Sequence, residues 1–129
     1  MPVEFINIDL EIEFSEPLDH LCRELDEAGC LVLYNGSSDT GFLASFEIED
    51  EESRDDPNAI IISFCDAINS LGEQALLVWD QADRRVFDIG YESCPPEGVF
   101  TSALRCEVLD QIAKCGADVK ITIYQRATK

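Results

Sequence analysis

The sequence predicts an α+β fold, a two-layer sandwich in which a mostly antiparallel, six-stranded sheet carries three helices on one face. Three observations lead to it. From Phe5 to Ser15 apolar and polar residues alternate, the period of a strand with one buried and one wet face. Three segments carry apolar stripes at the i, i+3, i+4, i+7 spacing of amphipathic helices. Each of these segments stops at a glycine, Gly29, Gly72 or Gly116, and a strand-like run follows it. Helices covering one face of a sheet bury both patterns in a single core. The expected order is β-α-β-β-α-β-β-α-β, in one acidic domain over residues 1–129.

In the first strand Ile6, Ile8, Leu10, Ile12 and Phe14 are expected to face the core, and Asn7, Asp9, Glu11 and Glu13 to face water. EPLDHLCRELDEAG follows as a helix. Ser15 can cap it, Pro17 suits its first turn, and Leu18, Leu21, Cys22 and Leu25 form its buried stripe. CLVLY, residues 30–34, reads as a buried strand and NGSSDTG as a turn. FLASFEIE is a second alternating strand, with Ser45, Glu47 and Glu49 on its wet side. Asp56 and Pro57 are an N-cap and a first-turn proline, so a helix runs over about 57–71 with Ile61, Phe64, Cys65, Ile68 and Leu71 inward. ALLVWD, residues 75–80, and RVFDIGYE, residues 85–92, read as a hairpin across QADR. Thr101 or Ser102 caps a last helix with Leu104, Val108, Ile112 and Cys115 inward, and DVKITIY closes the fold as a strand. The helix-ending glycines lie 43 and 44 residues apart, which points to a quasi-repeated α-β-β unit.

Charge sets the class of partner. Twenty-seven acidic residues against nine basic ones give −18. Such a chain repels phosphate backbones and anionic lipid, so nucleic acid and membrane surfaces are not expected partners and a basic protein is. Solubility alone is the bland account of the same charge. The twelve outward strand positions, Asn7, Asp9, Glu11, Glu13, Ser45, Glu47, Glu49, Asp88, Glu92, Lys120, Thr122 and Tyr124, hold seven carboxylates and one cation. Like charges on neighbouring strands repel, so this arrangement costs stability. Glu47 to Asp56 packs seven carboxylates and one arginine into ten residues. Asp55 and Asp56 suit the positive end of a helix dipole, whereas Glu49 to Glu52 have no such local reason. The candidate partner-binding residues are therefore Asp9, Glu11, Glu13, Glu47, Glu49, Asp50, Glu51 and Glu52, with Tyr91 and Tyr124 as aromatic anchors.

Other chemistry finds little support. The single histidine, His20, falls opposite the apolar stripe of its helix, so no Ser-His-Asp or Cys-His arrangement is expected except through it. Phosphate-binding glycine loops, an EF-hand pattern and short Cys/His zinc spacings are absent from the sequence. No enzyme activity, metal or cofactor is expected. The six cysteines show no C-x-x-C spacing, and Cys22 and Cys65 fall on helix stripes, where a thiol acts as a small hydrophobe. Cys94, in the turn SCPPEG, is the one expected on a loop. MPVEFINIDLEIEF lacks the basic start and cleavage site of a secretory leader, so a reducing, cytoplasmic location is expected, the alternative being a leader already removed. Two alternatives stand beside the basic-partner reading. One is a small-molecule or regulatory domain with a pocket lined by Trp79, Phe87 and Tyr91. The other is a nucleic-acid mimic that displaces DNA from a basic enzyme.

FDIGYE, a helix, and then GADVKITIY make the final third. Residues 85–124 resemble the closing segment of uncharacterised bacterial families that include small acidic immunity-type proteins. The resemblance rests on hydrophobic spacing and on Gly90, Tyr91, Gly116, Ala117 and Tyr124, and it carries over no functional residue. It implies a protein that neutralises a basic partner by occluding it. The sequence leaves the oligomeric state open.

Overall fold

The computed structural model describes residues 4–49, 55–93 and 99–125. Their order is β1 (Glu4–Phe14), α1 (Asp19–Glu27), β2 (Cys30–Ser38), β3 (Gly41–Ile48), α2 (Pro57–Asn69), α3 (Glu73–Gln81), β4 (Arg84–Ser93), α4 (Cys106–Cys115) and β5 (Asp118–Gln125). The alternating first strand lies at the centre of a sheet ordered β2-β3-β1-β4-β5. Pairing is antiparallel everywhere except between β4 and β5, which run parallel with α4 as the crossover. The fold class is α+β as expected, but the sheet is mixed. Among the described residues it has five strands and four helices, not six and three.

Both differences come from ALLVWD, which is helical. Gly72 caps α3, and Ala75 and Trp79, four apart, are its buried residues, while Leu76 and Leu77 are exposed. An unbroken apolar run has no period of its own, and Gln, Ala and Leu favour a helix once the chain turns at Gly72. The Trp79 indole then reaches α4, donating to the Cys115 carbonyl at 2.9 Å. Gly72 consequently precedes a helix rather than a strand, so the α-β-β repeat does not exist.

The core is one hydrophobic cluster between the sheet and the helices. Leu10 pairs with Phe46 on one side and Phe87 on the other, and all three are sealed from solvent. Phe64 of α2 meets Phe87 at 5.5 Å between ring centres. Leu21 and Leu25 of α1 and Val108 and Ile112 of α4 join the same cluster. Each such buried side chain contributes on the order of 2 kcal/mol.

Local expectations divide. Asp56 caps α2 as its sequence suggests, accepting from the Asn58 amide at 3.0 Å. Leu18 rather than Ser15 stands at the start of α1, and α4 begins at Cys106, with no side-chain cap at either. Buried Asn58 holds the approach to α4 instead, donating to the Ala103 carbonyl and accepting from the Arg105 amide. A bulge between Phe5 and Asn7 turns Phe5 onto Tyr91 and leaves Ile6 exposed, contrary to strict alternation. CLVLY is not a buried strand. It is an edge in which Cys30 is sealed, whereas Leu31, Leu33 and Tyr34 are exposed, Leu33 at a second bulge. No single helix among the described residues is long and apolar enough to cross a membrane.

Candidate functional site

No described element packs on the sheet face opposite the helices. The inward residues of β1 take Ile8, Leu10 and Ile12 into the core, so Asn7, Asp9, Glu11 and Glu13 point the other way. Register adds neighbours on the same side: Ser45 across from Glu11, Asp88 across from Asp9, and Arg84 across from Glu13. β5 aligns Lys120 with Asp88, Thr122 with Gly90 and Tyr124 with Glu92. The expected acidic face therefore forms across β1, β3 and β4.

Its centre is Asp9. This carboxylate lies between Asp88 of β4 and Glu47 of β3, and its Oδ1 is sealed from solvent without a hydrogen-bond partner. Burial, a hydrogen bond shared with Glu47, and the negative fields of Glu47, Asp88 and Glu11 push its carboxyl from 3.8 up to about 7. Asp9 therefore holds a proton far more readily than an ordinary surface carboxylate. Around it the charges are partly bridged. Asn7 donates to Glu47 at 2.5 Å, and Thr122 donates to Asp88 at 2.7 Å. Arg84 contacts Glu11 at 3.2 Å and Glu13 at 3.0 Å, while Lys120 lies 3.7 Å from Glu11 and 3.5 Å from Asp88. These pairs are only partly buried and stay screened by solvent, so each is worth on the order of 1 kcal/mol or less. Arg84 and Lys120 thus moderate the field of Asp9, Glu11, Glu13, Glu47 and Asp88 without cancelling it.

Two tyrosines flank the acidic band. Tyr124, 53% exposed, stands at the β5 end beside Gly90, where a Cβ would meet its ring at 3.6 Å and Asn7 Oδ1 at 3.2 Å. Tyr34, across from Ser45 on β2, stands at the other end and donates to the Ser37 carbonyl at 2.9 Å.

Of the candidate residues, Asp9, Glu11, Glu13, Glu47 and Tyr124 share this face, and Glu49 lies exposed just past the end of β3. Asp50, Glu51 and Glu52 lie outside the described residues, as does Cys94. Tyr91 is a correction. It alternates with Asp88 and Gly90 on β4, so it turns with Phe87 and Ile89 into the core, is only 7% exposed, and hydrogen-bonds Ser102 at 2.7 Å. Sequence reasoning missed Arg84, assigned to a turn, and Tyr34, read as buried; the polar run after Tyr34 was the available signal of an edge.

Other chemistry remains thin. Trp79, Phe87 and Tyr91 are packed core residues, and a surface depression lies instead on α3, lined by Glu73, Gln74, Leu76, Leu77 and Asp80. His20 is exposed, 2.6 Å from Arg23 and 2.7 Å from Glu24 on its own helix. No group of three or more metal-ligating side chains converges among the described residues. Burial pushes the Cys22 thiol up to about 11 and the Cys30 thiol to about 12, which keeps both unreactive. Set against known proteins, the chain matches no family model, no curated sequence and no solved structure.

Proposed function

We propose that the protein is a non-enzymatic binding protein whose open, acidic sheet face occludes a basic partner protein, in the manner of immunity-type neutralisers. One observation carries the reading. The helices cover one side of the sheet, and among the described residues the other side brings Asp9, Glu11, Glu13, Glu47 and Asp88 together, with Arg84 and Lys120 bridged to Glu11, Glu13 and Asp88. Such a field accelerates encounter with a cationic surface and rejects anionic ones. Tyr34 and Tyr124 supply amphipathic contact area at its two ends, the residue type that anchors interfaces. Arg84 and Lys120 hold the carboxylates in place until arginines or lysines of the partner supply further counter-charge.

The test is affinity capture from the source organism with three baits run side by side. These are the native chain, Glu11→Lys/Glu47→Lys on the open face, and Asp26→Lys/Glu27→Lys on exposed α1 positions. The last two carry the same net charge. A basic protein retained by the native and α1-reversed baits, lost by the face-reversed bait and eluted by salt supports the proposal. Equal loss from both reversed baits shows that net charge alone attracts it, and the face then has no special role.

A further inference from the structure

β5 closes the sheet at the end opposite β2, and its outer edge has no partner strand among the described residues. Its helix-side residues Val119, Ile121 and Ile123 align with Phe87, Ile89 and Tyr91 of β4. The β4 residues are 0%, 1% and 7% exposed, whereas those of β5 are 40%, 61% and 60% exposed. The apolar row of the sheet thus continues one strand past the point where the helices stop covering it. Edges of this kind are normally blunted by bulges, prolines or inward-pointing charges. β2, the other edge, has a bulge at Leu33, but β5 is regular from Asp118 to Gln125 and its one lysine points to the open face.

We propose that β5 is a self-association edge, through which two copies of the chain pair antiparallel about a two-fold axis at Ile121. Charge selects this occupant. Asp118 and Lys120 cancel, so β5 is neutral within a chain of −18. Two of the nine basic residues, Lys114 and Lys120, fall within residues 114–125, where Asp118 is the only acid. Two acidic chains repel least when they meet there, and a basic protein of the kind attracted to the open face is disfavoured. Symmetry agrees, because a two-fold contact must be complementary to itself. About Ile121, Val119 of each copy lies across from Ile123 of the other, Ile121 meets its own mate, and Lys120 faces Thr122. No carboxylate is opposed by a carboxylate, and six β-branched aliphatic side chains form one continuous row. Opposed residues share a face, so both acidic faces end on the same side of one joined sheet. This pairing stands whether or not the basic-partner reading does.

The test is sedimentation equilibrium of the native chain, of Ile121→Lys and Ile123→Lys, and of Leu33→Lys on the opposite edge, with circular dichroism on each. The native chain is expected at twice 14.4 kDa. Association should strengthen from low salt to about 0.3 M as repulsion between the acidic bodies is screened, the opposite of binding to a basic partner. Either β5 lysine weakens it at least about a hundredfold with unchanged secondary structure, while Leu33→Lys still dimerises. A monomeric native chain overturns the proposal. So does a dimer that survives both β5 variants, or one broken by Leu33→Lys alone. If both β5 variants unfold, the row belongs to the core and the proposal falls as well.

Discussion

Replacing Asp9 with asparagine removes one charge from the most crowded point of the sheet while keeping its shape. The native carboxyl is pushed from 3.8 to about 7, so the folded chain binds this proton more tightly than the unfolded chain does. Stability from the group is fully present below the unfolded value and is lost as pH rises through the folded one. Each tenfold change in proton affinity is worth about 1.4 kcal/mol, which sets a ceiling of about 4 kcal/mol. Asp9 is partly exposed, and solvent screening reduces this to about 1–2 kcal/mol. Asp9→Asn should therefore unfold at higher urea than the native chain at about pH 8, by that amount. The gain shrinks on acidification and is small at about pH 4, where the folded carboxyl is protonated and as uncharged as the asparagine. The introduced amide can also donate to Glu47, which adds to the gain at high pH. Urea unfolding followed by circular dichroism across this range reads both numbers. A variant destabilised equally at every pH would refute the reasoning, since that is how an ordinary hydrogen-bonded side chain behaves.

Elsewhere the fold makes three further predictions. Gly41 has a φ of 147°, and a Cβ there would meet the Phe14 carbonyl oxygen at 2.5 Å, so Gly41→Ala should cost at least about 2 kcal/mol in thermal or chemical unfolding. Arg85 donates to the carbonyls of Trp79, Asp80 and Gly116 and lies 5.7 Å from the Trp79 ring centre, tying the ends of α3 and α4 to β4. Arg85→Met should destabilise by about 2–3 kcal/mol, and an effect below about 0.5 kcal/mol would show that these bonds add nothing to stability. The carboxylates opposed on β1, β3 and β4 repel, so raising salt from about 0.01 M to 0.15 M should raise Tm. A melt that ignores salt would mean that the repulsion is negligible.

Residue pattern carried the centre of the fold and lost its margins. Ile8, Leu10 and Ile12 alternate with Asp9, Glu11 and Glu13, and that period alone assigns β1 and half of the acidic face. Asp56 and Pro57 place the start of α2 just as directly. ALLVW has neither period, so its burial through Ala75 and Trp79 depends on packing that no local signal records. At Ile6 and Leu33 a bulge breaks the alternation, and bulges arise from pairing with a neighbour strand. The same limit hides the crowding of Asp9, because sequence shows that Asp9 and Asp88 point outward but not that they are opposed. Tyr91 is the contrary case. Its alternation with Asp88, Gly90 and Glu92 already placed it inward, and only its aromatic character argued for a surface role. β5 reads as an ordinary alternating strand, and only the sheet order reveals that Ile121 and Ile123 lie beyond the cover of the helices.

The central claim, that the open sheet face is where a basic partner sits, is tested most directly by calorimetric titration of the captured partner. The titration compares the native chain, Glu11→Lys/Glu47→Lys and Asp26→Lys/Glu27→Lys at low salt. Loss of at least about a hundredfold in affinity for the face variant, with the α1 variant within about threefold of native, is the predicted result. Equal affinities for the two variants would contradict the claim and leave the charge of the chain as a matter of solubility.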